Sequence, residues 1–593
     1  MSTEMNNLYA ERIEALRSLM RGRGWDAVII WSGDPHQSEY PAERWKQVRW
    51  LTGFTGEAGD VVVTADHAGL WTDTRYFIQA VEQLEGTGCV LHKTRVPEQV
   101  LIPEWLRSQL GEGAVIAVDS LCTSAAAADE LRDSGFTLVG VPDLLNVIWE
   151  DRPGIPQTSI FRIQAGESRE EKMEWLRGEL AERGADAILL SALDEIAWVL
   201  NVRASDIEYN PMVISYLLVG QDFAKWLVLK EDVEDPVTEE TFDALQGDGI
   251  ELLPYSEVGL ELSAFEGRLW LDSATVSCEL REAAGGRAIE APSPVARRKE
   301  QKNPQEIEWI RECHIRDGVA MEKFLYWLEK SVQAGKTVTE WEAAVKLGQY
   351  RAEIDDYQGD SFETISAYGK GAALPHYITP SEDAPVIEGH GLYLCDSGGQ
   401  FLSGTTDITR TVPMGECTPE EIRDYTLVLK AHIDLAMAVF PAGTPGCRID
   451  AAARLPLWKS LMNFGHGTGH GVGFFLGVHE GPHQIRQNLD PTPMVEGMIT
   501  SDEPGIYREG KHGVRHENLV LTVDAGTSEF GHFLRFEPLT MCHFDTSILD
   551  LSLLDKWEIE WLNEYHRTVF ENLGTLLDEE VARWLHEKTR PIG

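Results

Sequence analysis

From Gly465 to Gly473 every second residue is glycine, and His466, Thr468, His470 and Val472 fill the places between. No other stretch restricts its own conformation so strongly. A glycine inside a helix costs about 1 kcal/mol relative to alanine, so this run excludes a helix. It also excludes any site in which histidines share one helix face. Period two belongs to an extended chain, on which His466 and His470 project to the same side. The opposite side is bare, so another backbone or a substrate can come close. His479 follows in "VHEGP".

Histidines that bind something need companions. "YLCDSGGQFLSGTTDITRT" carries Asp396 and Asp407 on two short strands joined by glycine-rich turns. An antiparallel pairing lets these carboxylates face each other, and facing carboxylates repel unless a proton or cation lies between them. "ITSDEPGIY" places Glu503 at a strand end before Pro-Gly, and "GVRHENLVLTV" places Glu517 at the head of an apolar run. Asp396, Asp407, His470, Glu503 and Glu517 together offer hard oxygens and one imidazole. That set suits two divalent ions, with the histidine favouring Mn²⁺, Co²⁺ or Zn²⁺ over Ca²⁺. Such a pair activates a water and polarises a carbonyl.

In their order along the chain, "DSGGQFLSGTTDITRT", "GHGTGHGVG", "VHEGP", "DEPGIY" and "RHENL" resemble the M24 metallopeptidases, which have the pita-bread fold. "LTGFTGEAGDVVVT", "LWTDTRYFIQA", "LDEIAWVLNVRASDIEYNPM" and the tail's "FEPLTMCHFD" extend the likeness to the three-domain, cytosolic-type Xaa-Pro aminopeptidases of that family. The resemblance implies a hydrolase that removes the first residue from peptides with proline at position two. It implies two metal ions, Mn²⁺ foremost with Zn²⁺ or Co²⁺ as alternatives, and a bridging hydroxide as nucleophile. Asp396, Asp407, His470, Glu503 and Glu517 would be the metal ligands, with Asp407 and Glu517 bridging and His470 on one ion. The catalytic set would be His376, His466, His479 and Glu503, the last also moving the proton. Arg410 and Arg515 would steady the carboxylates. Phe474, Phe475 and Tyr507 are candidates for a proline pocket, which such an enzyme needs because proline offers no amide hydrogen to grip. Two other readings stay open: an Xaa-Pro dipeptidase with the same ligands, and a non-catalytic pita-bread binding module.

A faint internal repeat precedes this region. "LRSLMRGRGWDAVII" at 16–30 and "LRGELAERGADAILL" at 176–190 share an apolar helix, a glycine stop and a buried strand. "AVIAVDS" and "GRLWLDS" match as later strands. The expected architecture is two similar creatinase-like α/β domains, 1–160 and 161–297, a pita-bread catalytic domain, 298–530, and a helical extension, 531–593. Asn303-Pro304 opens a helix after a linker with a basic patch. The tail reads as a packing or dimer-forming element, and a homodimer is expected.

With 97 acidic and 52 basic residues the net charge is −45, which repels nucleic acid and anionic lipid. The apolar runs are too short to span a bilayer, and the first residues lack a leader's apolar core. These features point to a cytoplasmic protein whose partners are peptides, without nucleic acid or membrane. The eight cysteines lack paired spacing and read as buried thiols.

Overall fold

The repeated helix–glycine–strand unit folds the same way twice. In a computed structural model describing residues 3–229 and 235–593, helix Thr3–Arg23 ends at Gly24 and leads into strand Ala27–Ile30. Helix Arg169–Arg183 ends at Gly184 and leads into Ala187–Leu190. Both glycines take the left-handed turn that stops a helix, with φ of 71° and 68°. Each strand lies fourth in a six-stranded sheet. The first sheet runs Val90–Lys93, Ala68–Thr72, Asp60–Thr64, Ala27–Ile30, Val115–Asp119, Thr137–Val141. The second runs Ile250–Pro254, Ala224–Val228, Ser215–Gly220, Ala187–Leu190, Leu269–Leu271, Ala288–Glu290. In both, the second and third pairings are antiparallel and the others parallel. These sheets belong to one unit of the chain, Met1–Val295; a second unit comprises Ala296–Gly593.

The second unit starts as its sequence predicts. The Asn303 side chain accepts hydrogen bonds from the amides of Gln305 and Glu306, and the Glu306 carboxylate accepts one from the Asn303 amide, capping helix Pro304–Gln333. Helices Glu340–Arg351 and Pro419–Ala436 follow. A three-stranded antiparallel sheet pairs Ile365–Tyr368 with Leu392–Ser397 and Leu392–Ser397 with Ile408–Pro413. A six-stranded antiparallel sheet runs Val439–Pro441, Gly531–Pro538, Asn518–Ser528, Ile499–Asp502, Gly469–Gly471, Glu480–Ile485. The hairpin Gly505–Arg508/His512–Arg515 stands apart from it.

The tail forms helices Lys556–Leu573 and Glu579–Lys588. Leu562, Val569, Leu573 and Leu585 are buried in one cluster with Leu429 and Ile433, each stabilising by about 1.5–3 kcal/mol. The apolar stripe of the tail is thus spent on helices of its own unit. All eight cysteines are free, with Cys417 and Cys447 only half-buried. Among the described residues no helix is long and apolar enough to cross a membrane.

Candidate metal centre

The five predicted ligands come from five strands of the second unit, on them or immediately beside their ends. Asp396 lies in Leu392–Ser397, and Asp407 immediately precedes Ile408–Pro413. Their strands pair, but Asp396 directly opposes Thr409. The two carboxylates are therefore diagonal neighbours rather than directly facing ones, as the two-residue offset dictates. His470 is central in Gly469–Gly471. Glu503 follows Ile499–Asp502, its amide bonded to the Thr468 carbonyl at 2.8 Å. Glu517 precedes Asn518–Ser528, its amide bonded to the Thr409 carbonyl at 3.1 Å.

The glycine run makes this convergence possible. Gly469 lies against the carbonyl oxygen of Ser501, and Gly471 against that of Glu480. A Cβ at either position would collide with backbone, so the strand bearing His470 lies closer to its neighbours than a larger residue permits. Only Gly469–Gly471 is regular strand; His466 sits in the turn before it. Both rings nevertheless reach one carboxylate: His470 Nε2 is 3.6 Å from Glu503 Oε1, and His466 Nδ1 is 3.8 Å from Glu503 Oε2.

Ligand atoms of Asp407, His470 and Glu517 all lie within 4.8 Å of one another. His470 Nε2 is 3.4 Å from Asp407 Oδ2. Asp396 Oδ2 accepts from Arg515 Nη2 at 2.5 Å, while its buried Oδ1 has no hydrogen-bond partner. Burial raises the affinity of Asp396, Glu503 and Glu517 for protons, and the Asp407 carboxylate adds to it; Glu503 is pushed up to about 7. A buried acid cluster with an orphan oxygen and one imidazole is a site built for concentrated positive charge. Two divalent ions fit that donor set. Asp407 is the floor, 5% exposed, while His470 and Glu503, each 21% exposed, form the open side.

Arg515 sits under the cluster. Its Nη2 holds Asp396, its Nε donates to Thr409 Oγ1 at 3.1 Å, and its Nη1 donates to the Tyr507 hydroxyl at 2.7 Å. The Tyr507 oxygen also lies 2.8 Å from His466 Nε2. Thr409 Oγ1 in turn donates to Glu517 Oε2 at 2.6 Å. One guanidinium thereby orients two ligands and, through a phenol, an outer histidine. Replacing Arg515 with Met is expected to weaken metal binding by about 10–100-fold, measured by calorimetric titration of the metal-free protein.

The remaining predicted residues divide. His479 packs edge-on against His470, ring centres 4.4 Å apart. His376 is half-buried and follows Pro375, whose carbonyl accepts from Arg515 Nη2 at 3.4 Å. Phe474 and Phe475 are core side chains, 2% and 1% exposed, with Phe474 stacked on Trp309, so neither offers a pocket wall. Tyr507 works through its hydroxyl rather than as an apolar face. Arg410 does not steady carboxylates: it is fully buried and donates to backbone carbonyls of Thr409, Glu517, Cys542 and His543. Its spacing from Asp407 alternates it to the opposite side of the strand. Thr409 and Tyr507's polar role had no distinguishing signal in the sequence.

Comparison with known proteins fits this geometry. The pattern of "Metallopeptidase family M24" matches residues 308–524, and that of the "C-terminal region of peptidase_M24" matches 532–592. Two patterns for a "Creatinase/Prolidase N-terminal domain" match 12–150 and 151–306. The "Probable Xaa-Pro aminopeptidase P" of Laccaria bicolor is 38% identical over 98% of this chain and 93% of its own length. The X-prolyl aminopeptidase of Caenorhabditis elegans, described as a cytosolic enzyme with a di-nuclear active site, superposes with a TM-score of 0.94 at 35% identity, covering 98% of this chain and all of that one. An Xaa-Pro dipeptidase from Bacillus anthracis, 26% identical with a TM-score of 0.50, covers 98% of itself but 63% of this chain.

Proposed function

The chain belongs to the Xaa-Pro aminopeptidase P family of M24 metallopeptidases, and we propose that Asp396, Asp407, His470, Glu503 and Glu517 hold its two divalent ions. It is a hydrolase that releases the first residue from peptides with proline at position two. The observation that carries the site assignment is the meeting of Asp407, His470 and Glu517 ligand atoms within 4.8 Å, beside the orphan Oδ1 of Asp396. Mn²⁺ is the ion we favour, on the oxygen-rich donor set with a single imidazole. Bound there, the ions supply a nucleophile at neutral pH and a Lewis acid for the scissile carbonyl.

The protein's own groups do the rest. Glu503, on the open side, takes the proton of the attacking water on its carboxylate and delivers it to the departing proline nitrogen. His466, fixed by the Tyr507 hydroxyl at Nε2 and the Gly467 carbonyl at Nδ1, lines the site 3.8 Å from the Glu503 carboxylate. His479, against His470, contacts the substrate near its proline, and His376 steadies charge developing at the scissile peptide. Asp396 and Arg515, buried below, keep the ligand floor rigid.

The match along nearly the whole chain favours an aminopeptidase over a dipeptidase, and five converging ligands would be idle in a binding module. The proposal includes domain limits near 160, 297 and 530, a cytoplasmic location and a homodimer. Leu455, Trp458 and Leu461 are exposed apolar residues close together in sequence, and we take them as candidates for the homodimer contact. The test compares Arg-Pro-Pro with Arg-Pro, with bound Mn²⁺ quantified on the same sample. Release of Arg from the tripeptide is expected to exceed that from the dipeptide. Cleavage confined to the dipeptide, or none with any divalent ion, overturns the reading.

A further inference from the structure

The stretch before helix Pro304–Gln333 reads in sequence as a basic linker, yet while Arg297 and Arg298 are exposed its other three charged side chains are buried. Lys299, Glu300 and Lys302 are 2%, 1% and 5% exposed. Lys299 Nζ meets Glu480 Oε2 at 2.9 Å, and Lys302 Nζ meets Glu480 Oε1 at 2.5 Å. Lys302 Nζ is fixed further by the Lys299 carbonyl at 3.1 Å. Burial alone would raise the Glu480 carboxyl; the two ammonium groups instead hold it down to about 2. Beside them Glu300 Oε2 accepts from the His483 amide and meets its Nδ1, both at 3.1 Å. The same segment also docks on the backbone leading to Glu503: the Lys302 amide donates to the Gly497 carbonyl at 2.9 Å, and Gln301 bridges Met498.

A buried carboxylate between two lysines is costly to assemble unless its geometry is used. Glu480 is joined by one peptide to His479 and pairs in the sheet with Gly471, next to His470. Pinning its carboxylate fixes the backbone from which the His479 ring meets His470.

We propose that Glu480, clamped by Lys299 and Lys302, is a positioning residue that sets His479 for the substrate. This rests on the reading of His479 as a substrate contact. The test is a double-mutant cycle in kcat/KM on a Xaa-Pro-Yaa peptide with full-length protein: Glu480→Gln, His479→Ala and both together, with bound metal quantified. Glu480→Gln is expected to lower kcat/KM by about 10–100-fold with metal content unchanged, in the range for groups that orient site residues. His479→Ala, costly alone, is expected to cost less than about threefold in the Glu480→Gln background, because coupled residues are non-additive. If Glu480→Gln does not fold, Lys302→Met, which leaves Lys299 on the carboxylate, goes through the same cycle. Equal cost of His479→Ala in both backgrounds overturns the positioning role alone. A His479→Ala enzyme as active as wild type overturns the reading of His479, and the clamp's role with it.

Discussion

Replacing Asp407 with Asn is expected to abolish turnover and, without metal, to leave the protein as stable as before or more so. Asp407 shares a cluster of ligand atoms within 4.8 Å with His470 and Glu517. Asparagine keeps the shape but not the charge, so two cations lose their central counter-charge. We expect kcat/KM to fall by about four orders of magnitude, some 5 kcal/mol of transition-state stabilisation, with metal largely lost by elemental analysis. The stability expectation has the opposite sign. The Asp407 carboxylate is among the charges that disfavour ionisation of Asp396, Glu503 and Glu517. Removing it relieves repulsion in the empty site. Calorimetric unfolding in chelator is the check, and a Tm below that of metal-free wild type would show that Asp407 holds the fold rather than the ions.

The second large effect concerns stability. Arg410 is buried, gives Nη2 to Asn518 Oδ1 at 2.8 Å and the Cys542 carbonyl at 2.7 Å, and gives Nη1 to the Glu517 carbonyl at 2.6 Å. Its guanidinium lies 3.9 Å over the Phe544 ring. Arg410→Met would strand those acceptors in the interior. The expected cost is about 4–5 kcal/mol, a fall in Tm of about 10 °C. Arg410→Lys is expected to recover little of it, since one ammonium cannot reach acceptors spread around a planar fork. A Tm within two or three degrees of wild type for Arg410→Met would contradict this account.

What the sequence revealed depended on the range of the physics. Local signals were legible: the Asn303 cap and the glycine stops at Gly24 and Gly184, whereas of the alternating-glycine run only Gly469–Gly471 became strand. The carboxylates proposed as ligands could be picked out because each sits in a turn or near a strand end. Direction across the sheet was harder. Arg410 and Arg515 both lie near proposed ligands in sequence, but Arg515 reaches the Asp396 carboxylate while Arg410, an odd number of residues from Asp407, turns to the Cys542 and His543 carbonyls. Phe474 read as a pocket wall because aromatic residues serve equally as core. Lys299 and Lys302 read only as part of a basic linker because their partner, Glu480, lies far along the chain, and no local pattern announces a buried pair at that separation.

The bonds from Arg410 to Cys542 and His543 also set an order of events during synthesis. Asp396 through Glu517 leave the ribosome before the residues that brace them. A nascent chain that has made every ligand still lacks the carbonyls Arg410 must satisfy. The centre is therefore expected to become rigid only after residues 542–543 emerge, well after the strands that carry its carboxylates.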